Sequence, residues 1–253
     1  MTDLDDLWPP SSAITPQRAA SVRAQEVRRD KALSRDEIVQ TAVTLADAEG
    51  AAAVNMRHIA KKIGVGAMSL YWHVADKEQL LDLMLDVVEG EGVTAELSGE
   101  WRRDLARIAR QRRRALLRHP WVVSFMSGRP PYGPNALLQI ERSLSALDGL
   151  EMDTRTRLQI LMTIDTYVTG SVLHELREVQ VEQTRSETDL SEAKAEAEAQ
   201  MQAWRDRLAR SGRFERVVRV FDEGIDPDAA DTRDERFEFG LECVLVGVSA
   251  RVA

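Results

Sequence analysis

The chain has 253 residues, 43% of them apolar and 30% charged, with one cysteine and a net charge of −8. That is enough apolar chain for a sizeable core in one or two domains. It holds no run of eighteen apolar residues to span a membrane, and its acidic opening, MTDLDDLWPPSSAITPQ, does not read as a secretory signal, so the expected compartment is the cytoplasm. Cys243 alone excludes an internal disulfide or a cysteine-based zinc site, and its surroundings, LECVLVGV, predict a buried small hydrophobe.

Residues 1–33 read as a flexible extension, and the cations of residues 18–35, Arg18, Arg23, Arg28, Arg29, Lys31 and Arg35, as either a charged helix or a basic arm. Ser34 and Glu37 fit a capping box, followed by Ile38, Ala42 and Leu45 at helical spacing, with Gly50 as a stop. Asn55 caps a second helix striped by Met56, Ile59, Ala60 and Ile63. Gly64-Val65-Gly66 breaks it, and a short helix is predicted at about 67–73. Asp76 caps a fourth helix, 77–89.

From residue 100 the helices lengthen. EWRRDLARIARQRRRALLRHP is amphipathic, and its eight arginines read as a solvated face. GRPPYGPN, 128–135, is a turn-rich loop; helices are predicted at about 135–148, 153–180, 199–222 and 233–252, with a loop or solvated helix start at 182–198. No alternating Val/Ile/Thr run signals a sheet, so the fold class is all-α: an N-terminal three-helix helix-turn-helix unit and a larger helical domain.

The segment SLYWHV, 69–74, holds two of only eight Tyr and Trp residues in the chain. Ala60, Gly64 and Leu70 have helix-turn-helix spacing: a small residue where the helices cross, a glycine in the turn, an apolar residue tucking the second helix down. If Leu70 and Val74 face inward, Ala67, Met68, Ser69, Tyr71, Trp72 and His73 face outward. A DNA major groove accepts such a face, with thymine methyls for the apolar side chains and phosphates for the polar tips. Arg57, Lys61, Lys62 and Lys77 flank it. Residues 18–77 carry +3 and the rest of the chain −11, a local basic balance that suits an anionic partner. The competing reading is that Tyr71 and Trp72 plug an interface with the next domain.

Residues 34–89, and LYWHV.DKEQLLDLM above all, resemble the N-terminal helices of the TetR family of bacterial transcriptional regulators. WRRDLARIARQRRRALLRHPWVV, GRPPYGPNAL and YVTGSVLHE resemble the C-terminal domain of its tetracycline-repressor-like branch. The resemblance implies a ligand-responsive repressor. Residues 34–80 would bind DNA through Arg57, Ala67, Met68, Ser69, Tyr71, Trp72, His73 and Lys77; residues 81–253 would bind the effector and form the dimer. Its partners would be double-stranded operator DNA with two-fold symmetry, a small molecule that releases it, and a second copy joined through helices 153–180 and 233–252. Two departures matter. Phe125 stands where tetracycline repressors carry the histidine that binds the drug's magnesium, and Met68 replaces the reading-helix proline. A magnesium–tetracycline effector is therefore not expected, nor the same operator.

Candidate effector contacts are Phe125, Met126, Arg129, Tyr132, Met162, Asp165, Thr166, Thr169 and His174, which would add polar points to apolar walls. The plainer alternative is core for most of them, a satisfied interface histidine for His174 and a helix cap for Arg129. The stripe of Phe237, Leu241, Val244, Leu245 and Val248 reads as a dimer face or as core within one chain. The four histidines lack metal-site spacing, and no cofactor is expected. Two rival readings are a sensing or scaffolding dimer without DNA binding and an enzyme. Asp165 and His174, the best acid–base pair for an enzyme, are nine positions apart on one helix, about 13 Å.

Overall fold

The computed structural model describes residues 33–92, 96–125, 133–187, 191–225 and 229–252. The N-terminal basic segment and the candidate effector residues Met126, Arg129 and Tyr132 lie outside these. Among the described residues there are ten α-helices and no strand.

The first four helices are α1 (Arg35–Glu49), α2 (Met56–Ile63), α3 (Ala67–Leu70) and α4 (Lys77–Gly90). Local chemistry sets their starts. Ser34 Oγ accepts the Glu37 amide at 3.1 Å, Asn55 Oδ1 the His58 amide at 2.9 Å and Asp76 Oδ1 the Gln79 amide at 2.8 Å. The Gln79 side chain reaches back to the Ala75 amide at 2.6 Å, tying the start of α4 from both sides. Gly64 ends α2 in the left-handed region (φ 87°), where its amide bonds Ala60 O at 2.8 Å. Ile38, Ile59, Leu70, Val74 and Leu80 are buried beneath these helices and fix their crossing.

α5 (Trp101–Arg118) lies against α7 (Thr154–Glu187), and α6 (Pro134–Ser145) against α4. α10 (Arg233–Val252) packs on α7 and, more lightly, on α5. Tyr167 of α7 fits onto Gly240 of α10 and donates a hydrogen bond to Phe237 O at 2.7 Å. A Cβ at position 240 would stand 2.6–2.7 Å from Tyr167 ring atoms, so glycine lets these two helices meet. α8 (Ser191–Ser211) and α9 (Glu215–Asp222) pack principally on each other, through an edge contact between Trp204 and Phe221 (centroids 5.7 Å apart).

Several expectations change. The α-helical part of the reading segment stops at Leu70; residues 71–73 continue as tighter turns, with His73 N bonded to Leu70 O at 2.9 Å, a common ending for a helix. Of the two readings of 182–198, loop or solvated helix start, the described residues take the helical one, as the Ala/Glu-rich run SEAKAEAEAQ favours. The predicted helix 199–222 breaks at 212–214.

Phe237, Leu241, Leu245 and Val248 are core within the chain, as are Val168 and Val172 of α7. Cys243 is exposed: the buried stripe of α10 occupies its other face, and Cys243 shares the outer one with Phe239 and Val246. The α5 arginines are staples rather than a solvated fringe. Arg110 bonds Glu238 at 2.7 Å, Arg113 bonds Glu175 at 3.0 Å and Asp234 at 2.7 Å, and Arg112 bonds Glu89 at 2.5 Å. They tie α5 to α10, α7 and α4. Arg113 also lies over the Phe237 ring, 4.6 Å from its centroid.

Candidate nucleic-acid interface and effector cavity

The turn after α2 aims α3 away from the body. Leu70 and Val74 are buried, while Met68, Tyr71 and Trp72 are 71%, 41% and 50% exposed. Among the described residues the aromatic pair therefore plugs no interface with the next domain. Ala67, Ser69 and His73 are half-buried beside them. Arg57 at the start of α2 and Lys77 at the start of α4 are exposed and make no ion pair with the described residues; Lys62 stands 3.8 Å from Glu49. A face of methionine, aromatic rings and cations, left largely open by the described residues, suits groove edges and phosphates.

Some 370 Å³ of empty space lies between α4, α5, α6 and α7, in reach of a small molecule. Its walls are mostly apolar and include Leu85, Leu105, Ile108, Val122, Phe125, Ile140, Leu158, Leu161, Met162 and Val168. Five polar side chains interrupt them: Glu89, Arg112, Gln139, Ser143 and Asp165. Arg112 joins Glu89 closely and reaches Asp165 at 3.5 Å. Gln139 Oε1 is buried without a hydrogen-bond partner.

Of the effector candidates from sequence, Phe125, Met162 and Asp165 line this cavity, whereas Thr166, Thr169 and His174 do not. Thr166 is exposed on the outer side of α7, and Thr169 Oγ1 is buried without a partner. His174 lies 3.0 Å from Glu178, a carboxylate that Arg236 and Arg233 also hold and draw down to about pKa 2. Sequence reading missed Glu89, Arg112, Gln139 and Ser143. Glu89 offered a signal, as a carboxylate one turn after Leu85 on an otherwise apolar face of α4. A second, more open hollow of about 490 Å³ between α5 and α10 is walled by paired charges, Arg102 with Glu242 and Arg110 with Glu238, and suits an apolar ligand less.

Two buried polar contacts join the cavity to the N-terminal helices. Asp86 of α4 faces the first turn of α6, where its two oxygens accept the amides of Ala136 (3.0 Å) and Asn135 (3.3 Å). Burial raises the Asp86 pKa, and these bonds offset part of that rise. Asn135 Nδ2 in turn donates to Asp86 O. Farther along, Asp47 Oδ1 of α1 accepts from Trp121 Nε1 at 2.7 Å and lies 2.7 Å from His119 Nδ1; His119 Nε2 is 3.0 Å from Glu91, just past α4. Among the described residues no three His, Cys, Asp or Glu side chains cluster as metal ligands, and no helix is long and apolar enough to cross a membrane.

An outward reading segment after a helix-turn-helix, joined by one connecting helix to a hollow helical body, defines a ligand-sensing DNA-binding regulator. Residues 38–84 match the family model for bacterial regulatory proteins of the tetR family, and residues 94–252 that for the tetracyclin repressor-like C-terminal domain. The chain belongs to the TetR family of transcriptional regulators, which are not enzymes. It is 32% identical to the HTH-type transcriptional repressor DrrR1 of Streptomyces coeruleorubidus, over 87% of this chain and 79% of that one. It is 25% identical to the class E tetracycline repressor of Escherichia coli, over 87% and 92%. Among solved structures, the TetR family protein ActR of Streptomyces coelicolor in complex with actinorhodin superposes with a TM-score of 0.66 at 28% identity, covering 88% of this chain and 99% of that one.

Proposed function

We propose that the protein is a repressor that binds a palindromic operator as a homodimer and leaves it when a small molecule fills the α4–α7 cavity. The observation that carries this reading is the exposure of Met68, Tyr71 and Trp72 on a segment whose inner side is fully buried. Residues 34–80 are the DNA-binding unit in this reading, with Arg57, Ala67, Met68, Ser69, Tyr71, Trp72, His73 and Lys77 at the groove. Residues 81–253 bind the effector and the second copy.

One reading segment spans too few base pairs to mark a unique site; a pair related by two-fold symmetry meets successive major grooves about 34–36 Å apart. The outer faces of α7 and α10 supply the dimer contact: Leu173 and Val181 on one, Phe239, Cys243 and Val246 on the other are exposed and largely apolar. Gly170 and Gly247 lie on these faces with open space around them, allowing close approach.

α4 transmits the signal. Its first residue, Lys77, follows the reading segment, its Leu85 and Glu89 line the cavity, and its Asp86 holds the first turn of α6. A ligand wedged between α4 and α6 favours an arrangement in which α4 is displaced and the two reading segments no longer match the groove spacing. Near-complete release requires about 5.5 kcal/mol of differential affinity between the two arrangements.

The test is fluorescence anisotropy on the DNA beside the coding region. The intact protein is expected to bind a discrete inverted repeat. Tyr71→Ala and Trp72→Ala should each weaken binding about tenfold or more without loss of helix content. A complex indifferent to both substitutions would overturn the reading.

A further inference from the structure

The polar side of the cavity has a sign. Among the described residues Glu89 and Asp165 bring two carboxylates and Arg112 one guanidinium, so these walls carry a net charge of −1. The guanidinium is committed to Glu89: both side chains are largely buried (11% and 14% exposed) and 2.5 Å apart. Asp165 receives only the longer contact, 3.5 Å from Arg112 Nε, and its side chain stays 55% exposed at the cavity wall. The Gln139 carboxamide oxygen is buried in the wall with no hydrogen-bond partner. Ser143 Oγ donates to Gln139 O at 2.7 Å, so its lone pairs are what it can offer a ligand.

Among the described residues the polar side of the cavity is therefore richer in carboxylate than in positive charge. An anion placed here would face two carboxylates, and one guanidinium already spoken for. A neutral apolar molecule would leave Asp165 as it is. An ammonium group would pair with Asp165 and meet the net charge.

We infer that the effector is an apolar molecule with a protonated amine, and that Asp165 is the residue selecting the amine. This rests on the proposed role of the cavity as the effector site. It also explains why a charged aspartate sits among Leu158, Leu161, Met162 and Val168 on a wall that would otherwise be hydrophobic.

Three probes sharing one ring system separate the cases: 9-(aminomethyl)anthracene, 9-methylanthracene and anthracene-9-carboxylate, titrated by fluorescence into the full-length protein at pH 7. The expected order is amine, then neutral, then carboxylate, with about tenfold between first and last. Asp165→Asn should remove most of that spread, chiefly by weakening the amine. Should that variant fail to fold, the order measured on the unaltered protein still decides. Equal affinities, preference for the carboxylate, or no amine binding up to its solubility limit would each overturn the inference. Operator binding without any probe is measured alongside. If it is absent, the repressor reading falls while the charge preference of the cavity is still decided by the titration.

Discussion

Asp47→Ala is expected to loosen the joint between the N-terminal helices and the rest of the chain. Asp47 is the shared acceptor for two groups 72 and 74 residues away, with His119 Nδ1 and Trp121 Nε1 both 2.7 Å from the same oxygen. Trp121 is 6% exposed and His119 3%, so removal of the carboxylate leaves two buried polar groups without it. A hydrogen bond to a charged group contributes about 1.5–3 kcal/mol, and two give about 3–6 kcal/mol. The Asp47 side chain is 30% exposed, so water can enter in its place and the lower end, about 3 kcal/mol, is expected. Trp121→Phe removes one of the two bonds and a little ring area, for about 2 kcal/mol. Because both substitutions delete the same indole bond, the double variant should fall short of additivity by about 1.5 kcal/mol. Urea denaturation at one fixed protein concentration reads all four values. Additivity to within about 0.5 kcal/mol would refute the claim that this bond couples the two segments.

Gly240→Ala should destabilise by about 1–3 kcal/mol in the same denaturation assay, because the new methyl meets the Tyr167 ring; an unchanged midpoint would show that α7 and α10 separate freely. Glu178 titrates near pH 2 when folded against 4.5 when free, chiefly through its bond from Arg236. Its stabilising contribution is therefore complete above about pH 4.5 and is lost as pH falls toward 2, so Glu178→Gln should flatten stability against pH across that window. An identical acid profile in the variant would contradict the assignment.

The N-terminal unit was legible because its signals are local and agree. Ser34, Asn55 and Asp76 cap helices within three residues of themselves, Gly64 supplies the left-handed turn, and Leu70 and Val74 anchor the reading segment. Farther along, periodicity could not say which partner an apolar face meets. The Phe237, Leu241 and Leu245 stripe packs inside the chain, while Phe239 and Val246 look outward with Cys243. The α5 arginines read as solvated because their acids are distant in sequence, at Glu89, Glu175, Asp234 and Glu238. The cavity was half legible: Met162, Asp165 and Phe125 were within reach of motif reasoning. Glu89, Arg112 and Gln139 become neighbours only once four helices have assembled.

The most direct measurement is the number of chains on one operator duplex, read by sedimentation equilibrium at saturating protein. The account predicts two chains per duplex, and none for Tyr71→Ala at the same concentrations. One chain per duplex, or a complex that keeps its stoichiometry and affinity without the Tyr71 ring, would contradict it.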